Sequence, residues 1–292
     1  MFLGTSDFAA AILRRLAASR HRPALVVTRQ DRPRGRGRRL ASPPVADTAR
    51  ELGLELDQPT SINDEEARAR IAAVRPEAVC VCAFGALIKE PLLSEHELLN
   101  VHPSLLPRWR GAAPIERAII AGDARTGVSI MRLTACLDSG PLCLQAAEPI
   151  RSQDTYGSLA ARLERLGGAL LIRALDERPD CREQDDSRAT YAEKITAADR
   201  LLDPSRTAPE LERVVRALTP HVGAHVQLPN GVSLGVREAR AVPGTGPGQG
   251  VVLLAGPQPL LGCAEGTLEL LVVQPPGKRA MSGEAFLHGH RR

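Results

Sequence analysis

Asn100 and His102 stand two residues apart at the end of the apolar run Leu99–His102. On a strand, alternate side chains share a face, so this amide and this imidazole project to the same side. Imidazole gives or takes a proton near neutral pH, and the amide offers both donors and an acceptor. A strand-end histidine is ordinary by itself. The segment after it is not, because Pro103, Pro107 and Pro114 pin a loop that carries Arg108, Arg110 and Trp109, the only tryptophan of the chain. A purely structural connection rarely needs so much fixed backbone. Downstream, Leu137-Asp138-Ser139-Gly140-Pro141 sets one carboxylate in a turn between two strand-like runs. Alone, that aspartate reads as a turn residue satisfying local amides.

Several common signatures are missing. Gly4 has no GxGxxG around it, and no GxxxxGK[ST] occurs, so nothing marks a dinucleotide fingerprint or a P-loop. Gly127-Val128-Ser129-Ile130-Met131 lacks the last glycine of the GxSxG elbow. Gly244-Thr245-Gly246-Pro247-Gly248 contains proline and precedes a strand, which makes it a loop. No CxxC pair is present to suggest zinc.

The elements that must position Asn100, His102 and Asp138 alternate in type. Strands are expected at Phe2-Leu3, Ala24–Thr28, Leu54–Leu56, Ala78–Ala83, Leu99–His102, Gly127–Leu133 and Leu142–Glu148. Helices are expected at Ala9–Ser19, Pro44–Leu52, Glu65–Val74, Ala113–Ala121 and Thr155–Leu175. Strands separated by helices imply a mostly parallel sheet covered on both faces, with ligands at its carboxyl edge. That edge is where Asn100 and His102 fall. Asp176–Arg188 is charged, contains Pro179 and reads as an exposed linker. After it come a helix at Pro209–Leu218, a Pro229-Asn230-Gly231 hairpin signal and short strands at Val251–Leu254 and Leu268–Val273. These suggest a small β-barrel. The domain boundaries expected are 1–178, a linker at 179–195, and 196–292.

Composition sets outer limits. The 292 residues are 43% apolar and 25% charged with a net charge of +4, which excludes wholesale disorder. No apolar run reaches the roughly 20 residues of a bilayer span, and no signal-peptide pattern occurs, so a soluble cytoplasmic protein is expected. Seven aromatic residues are too few for rows of base-stacking platforms. The six cysteines are scattered and read as buried reduced thiols. Only three residues precede Gly4 in the first strand, which is short for a buried central strand; a start further upstream would explain it.

Taken together these residues resemble the folate-dependent formyltransferases, nearly end to end. The resemblance is carried by Gly4-Thr5-Ser6-Asp7-Phe8, with serine where the family usually has proline, and by Gln30–Gly37. It continues through Asn100–Ile115, Leu137–Gly140, Thr190-Tyr191-Ala192-Glu193-Lys194-Ile195 and Gln274-Pro275-Pro276-Gly277-Lys278-Arg279-Ala280-Met281. The arginine loop and the late Gln-Pro-Pro-Gly-Lys stretch select the members that act on charged tRNA. The fold implied is a Rossmann-like α/β domain followed by an OB-like β-barrel.

The resemblance also implies a mechanism. The donor is 10-formyltetrahydrofolate, and the acceptor is the α-amine of methionyl initiator tRNA. His102 hydrogen-bonds the oxyanion formed when the amine attacks, with Asn100 as a second donor. Asp138 keeps His102 charged or takes up the amine proton through water. Ser104, Leu105, Leu106 and Pro107 match the folate-binding segment, and Phe8 borders the methionine pocket. No metal is needed, and a monomer is expected. Arg29–Arg39 holds six arginines in eleven residues. As a plain sequence it is a solvated charged loop; by resemblance Arg34, Arg36, Arg38 and Arg39 form an arm toward the acceptor stem, with Lys278 on the tRNA body. Two alternatives stay open: a formyltransferase for a small amine (a glycinamide or amino-sugar nucleotide), and an RNA-binding relic.

Overall fold

The computed structural model describes residues 1–34, 39–244 and 246–290. In chain order, its first elements are β1 (Phe2–Gly4), α1 (Asp7–Ala17), β2 (Val26–Val27), β3 (Arg32–Arg34), β4 (Arg39–Ala41), α2 (Pro44–Glu51), β5 (Leu56–Asp57) and α3 (Glu65–Val74). There follow β6 (Val79–Cys82), α4 (Leu92–Glu95), β7 (Leu98–His102), β8 (Arg110–Gly111), α5 (Pro114–Ala121), β9 (Arg125–Arg132), β10 (Leu142–Pro149), α6 (Tyr156–Glu177) and β11 (Tyr191–Ala192).

One compact unit is built from Met1–Gly111, Thr126–Glu148 and Ala160–Tyr191. Its seven-stranded sheet runs β10-β9-β7-β6-β1-β2-β5. The strands β5, β2, β1, β6 and β7 are mutually parallel, and β9 is antiparallel to β7. Every residue of Val79-Cys80-Val81-Cys82 in β6 is buried, because helices cover both faces. Leu3, Val27, Val79, Val81, Ile71 and Leu98 belong to one apolar cluster of this unit. Ser6 caps α1 by accepting a hydrogen bond from the Ala9 N–H at 3.2 Å. That helix buries Ile12, Leu13 and Leu16. The mostly parallel sheet expected from the alternation of elements is present, with ladders shorter than the apolar runs at β2 and β5.

One expectation needs correction here. Cys143 and Cys181 form a disulfide across 38 residues of sequence, and Cys136 is exposed, so the cysteines are not all buried reduced thiols. The pairing is set by register: Leu142 and Arg182 exchange backbone hydrogen bonds at 2.7 and 2.8 Å, which brings the two cysteines together. The same contacts tie the start of the stretch after α6 to the sheet. Backbone pairing and the bridge fasten it to β10.

A second compact unit consists of Ala112–Arg125, Pro149–Leu159 and Ala192–Arg292. Its later elements are α7 (Ala208–Leu218), β12 (Ala224–Gln227), β13 (Ser233–Val242), β14 (Val252–Leu253), β15 (Leu260–Gly262), β16 (Thr267–Gln274), β17 (Met281–Ser282) and α8 (Gly283–His290). The antiparallel sheet runs β12-β13-β16-β15-β14, with β17 beside β16, and curls into a half-barrel. Register shifts between Val236 and Ala239 bend the long β13. Gly231, at φ +77°, makes the β12–β13 hairpin turn that Pro229-Asn230-Gly231 announced. Helix α7 starts with Glu210 accepting from the Thr207 N–H at 2.9 Å and buries Leu211, Val214, Val215 and Leu218. Helix α5 packs on α7, where Arg213 Nε donates to the Ile120 carbonyl at 3.1 Å. Residues 112–125 thus fold with the late part of the chain.

Candidate active site

Strand β7 ends on the carboxyl edge of the parallel strands and delivers Asn100 and His102 there, 8% and 4% exposed. His102 pairs in register with Ser129 of β9, and Asn100 with Met131. The His102 Nε2–H donates to the Trp109 carbonyl at 2.9 Å, while Nδ1 lies 3.6 Å from Oδ2 of Asp138. A carbonyl only accepts, so Nε2 carries a proton and Nδ1 is the nitrogen that faces the carboxylate. Asp138 Oδ2 also accepts the Gly111 N–H at 2.8 Å. Trp109 at φ +63° and Asp138 at φ +46° both adopt left-handed backbone, which costs a non-glycine residue about 1–2 kcal/mol. Such strain persists where the surroundings over-determine it, most often at working sites. The Asn100 amide has no hydrogen-bond partner among the described residues.

The Ser104–Pro107 segment is clamped from below by β9 and β10. Ser129 Oγ donates to the Ser104 carbonyl at 2.6 Å and accepts from the Leu106 N–H at 3.1 Å. Gln145 Nε2 donates to the Leu106 carbonyl at 2.8 Å and to Ser129 Oγ at 2.9 Å. Ser104 Oγ closes the loop by donating to the Arg108 carbonyl at 2.6 Å. Gly127 is required under this segment, since any Cβ there would run into Leu105 and the Ala146 carbonyl. Ser129 and Gln145 were not singled out from the sequence. Ser129 drew notice only as the serine of a failed GxSxG, and its useful signal was its pairing opposite His102.

The remaining candidates separate. Phe8 is buried on the first turn of α1. Arg34 and Arg39 lie on β3 and β4, which pair as an antiparallel ribbon rather than an irregular loop. Arg36 and Arg38 lie outside the described residues. At the stem of the ribbon, Asp31 accepts from Gln58 at 2.8 Å and Ser42 at 3.0 Å, and the Gln58 bond leads in lowering its carboxyl pKa. Lys278 is exposed after a turn closed by its own N–H on the Pro275 carbonyl at 3.1 Å. A cavity of about 510 Å³ opens beside Met1, Cys80 and Leu99, at the opposite edge of the sheet from His102. It holds none of the candidate residues. No group of three or more potential metal ligands occurs among the described residues, and no described helix is long and apolar enough to cross a membrane.

The Asn-x-His strand end and the aspartate facing it lie on a Rossmann-like sheet, in a chain whose later part is a curled β-domain. Residues 1–175 match the formyl transferase family and residues 194–291 match the formyl transferase C-terminal domain, so the chain belongs to that family. More narrowly, it is 42% identical over 297 residues to the methionyl-tRNA formyltransferase of Methylococcus capsulatus, covering 99% of this chain and 96% of the relative. It is likewise 42% identical to that of Ectopseudomonas mendocina over 100% of this chain and 94% of the relative. Among solved structures, the N-formyltransferase from Helicobacter canadensis with folinic acid and dTDP-3-aminofucose superposes with a TM-score of 0.66 at 13% identity, over 92% and 97% of the two chains. HypX from Aquifex aeolicus with tetrahydrofolic acid gives 0.63 at 16% identity over 98% of this chain, which spans 46% of that one. At such identities the structures share the fold alone.

Proposed function

We propose that this protein transfers a formyl group from 10-formyltetrahydrofolate to the α-amine of methionyl initiator tRNA, acting as a monomer in the cytoplasm. The observation that carries the reading is the Asn100, His102 and Asp138 cluster in a chain 42% identical, over 99% of its length, to a methionyl-tRNA formyltransferase. The donor supplies an activated formyl carbon, so that a C–N bond to the amine forms as the C–N bond to the folate breaks.

The residues then divide the work. The partnerless Asn100 amide and a protonated His102 Nδ1 donate to the negative charge that grows on the formyl oxygen. Donors set in a buried site cost no reorganisation at the moment of reaction. Asp138, opposite Nδ1, offsets positive charge that develops on the ring during transfer or receives the amine proton through water. Ser104–Pro107, locked by Ser129 and Gln145, fits a segment that must hold the donor still beside the amine. Buried Phe8 borders the methionine side chain. Arg34 and Arg39 of the β3–β4 ribbon, together with Arg36 and Arg38, reach the acceptor stem, and Lys278 touches the tRNA body. We assign 1–178 to catalysis and 196–292 to tRNA binding, joined through 179–195. The test is transfer of labelled formyl to charged initiator tRNA with elongator methionyl-tRNA as control. Label on small amines but on neither tRNA overturns the reading.

A further inference from the structure

Gln184 lies in the irregular stretch after α6, outside every segment that carries the formyltransferase resemblance. Its amide nitrogen donates to the Asp138 carbonyl at 2.8 Å and the Gly140 carbonyl at 2.7 Å. Its amide oxygen accepts from Arg110 Nε at 3.1 Å and Nη2 at 2.8 Å. Both donors and both lone pairs of the side chain are therefore used. Arg110 is itself buried, with an ion pair to the exposed carboxylate of Asp186 at 2.6 Å. The neighbouring Gly111 N–H holds Asp138 Oδ2 at 2.8 Å. A ring closes: the Asp138 backbone on Gln184, Gln184 on Arg110, and the residue after Arg110 on the Asp138 carboxylate.

The ring encloses a turn that would not keep its shape unaided. Asp138 stands at φ +46°, a conformation that a free aspartate turn leaves readily. Gly140 packs so closely that any Cβ would strike the Arg132 carbonyl. Gln184 arrives on fixed backbone, since Arg182 pairs with Leu142 and Cys181 is bonded to Cys143.

We propose that Gln184 is a positioning residue, a latch that joins the arginine loop to the Asp138 turn and keeps the Asp138 carboxylate facing His102. The proposal rests on the catalytic role assigned to Asp138 above. Gln184→Met keeps the shape and removes every polar contact. It is expected to lower kcat about 10- to 100-fold through misplacement of the carboxylate, with KM for donor and tRNA changed less than about twofold. Gln184→Glu keeps an acceptor for buried Arg110 but turns a carboxylate oxygen onto two carbonyls. Positioning predicts a kcat loss like that of Gln184→Met; normal kcat in Gln184→Glu would mean the residue only supplies a hydrogen-bond acceptor to Arg110, and overturns the latch. In an Asp138→Asn background, Gln184→Met should cost less than about a further twofold. Full additivity overturns the proposal. The Gly111 amide proton resonance reads the same contact without turnover. It should shift in Gln184→Met; an unmoved signal overturns the latch. If Asp138→Asn turns over normally, the assignment of Asp138 fails, while a shifted Gly111 resonance still supports the latch.

Discussion

The carbonyl of Trp109 accepts the Nε2–H of His102 at 2.9 Å. That hydrogen bond orients the ring and decides which nitrogen is left for chemistry, because the acceptor can engage only a protonated nitrogen. It also explains the left-handed backbone of Trp109 at φ +63°, which turns its carbonyl toward the strand end. The tryptophan matters here through its main chain. Its ring instead lies under the Arg108 guanidinium, 4.4 Å from the centroid.

From this geometry, His102→Ala should cut turnover by about two to four orders of magnitude. Stability should fall by only about 1–3 kcal/mol, the cost of losing the hydrogen bond that the ring donates to Trp109. Asp138→Asn retains an oxygen for the Gly111 N–H and tolerates the left-handed backbone, so its melting temperature should stay close to that of the parent. Its turnover should fall about 100-fold or more, since the charge opposite Nδ1 is gone. Steady-state kinetics beside thermal melts check both. Activity lost only in step with folded protein would make His102 structural.

Thiol chemistry should sort by burial. Burial raises the Cys80 thiol to about 11 and pushes Cys82 further up, and it also raises Cys263. The nucleophile is the thiolate, so these three should resist alkylation in the folded state. Cys136 is exposed and should react first with iodoacetamide at pH 8. Without reductant, denatured protein should titrate four thiols, rising to six once Cys143–Cys181 is reduced. Labelling of Cys82 before Cys136, seen by peptide mass spectrometry, would contradict the burial order.

The sheet was legible because its strands are apolar runs bounded by turn residues. Glu65–Val74 was placed to the residue, and β7 to within one. Asn100 and His102 were legible because alternation along a strand is strict. Gln184, Ser129 and Gln145 were not, because each acts across 16 to 74 residues of sequence and its environment is set by sheet order. The Cys143–Cys181 pair escaped for the same reason, since it depends on one antiparallel bridge after a long helix. The grouping of α5 with α7 likewise has no local signature. It comes from contacts distant in sequence, such as Arg213 Nε on the Ile120 carbonyl 93 residues away.

In the second unit, Asp199 links folding to acid. Its burial opposes ionisation, but hydrogen bonds from Arg117 and from Thr196 outweigh this and hold the carboxyl at about 2, below its ordinary 3.8. Arg117 Nη1 lies 2.7 Å from Oδ1, and the Thr196 N–H and hydroxyl each donate to Oδ2 at 2.8 Å. A depressed folded value means that stabilisation is present above about pH 4 and disappears as pH falls through about 2. Asp199→Asn should therefore be less stable than the parent in urea melts at pH 7. The gap should narrow between pH 4 and pH 2. A gap that stays constant over that range would remove ionisation from the account.

Substituting the arginines between Arg29 and Arg39 tests what the acceptor is. Arg36→Ala, Arg38→Ala and Arg39→Ala together remove three charges more than sixty residues before Asn100 in sequence. If the ribbon meets RNA phosphates, tRNA affinity should fall and its log–log dependence on salt should become shallower by about 0.7–0.9 for each phosphate no longer neutralised. Donor binding should not change, because Ser104–Pro107 is fastened by Ser129 and Gln145 rather than by the ribbon. If the ribbon also aims the acceptor end, the rate at saturating tRNA should drop as well, since a displaced amine loses its attack geometry. An enzyme for a small amine predicts no change in its own reaction, and a relic RNA binder predicts weaker binding with no formylation in the parent. Filter binding over a salt series, paired with single-turnover formylation, separates these outcomes. Unchanged affinity and rate in the triple variant would remove the ribbon from tRNA recognition, and with it the main reason in this chain's own sequence for preferring tRNA to a small acceptor.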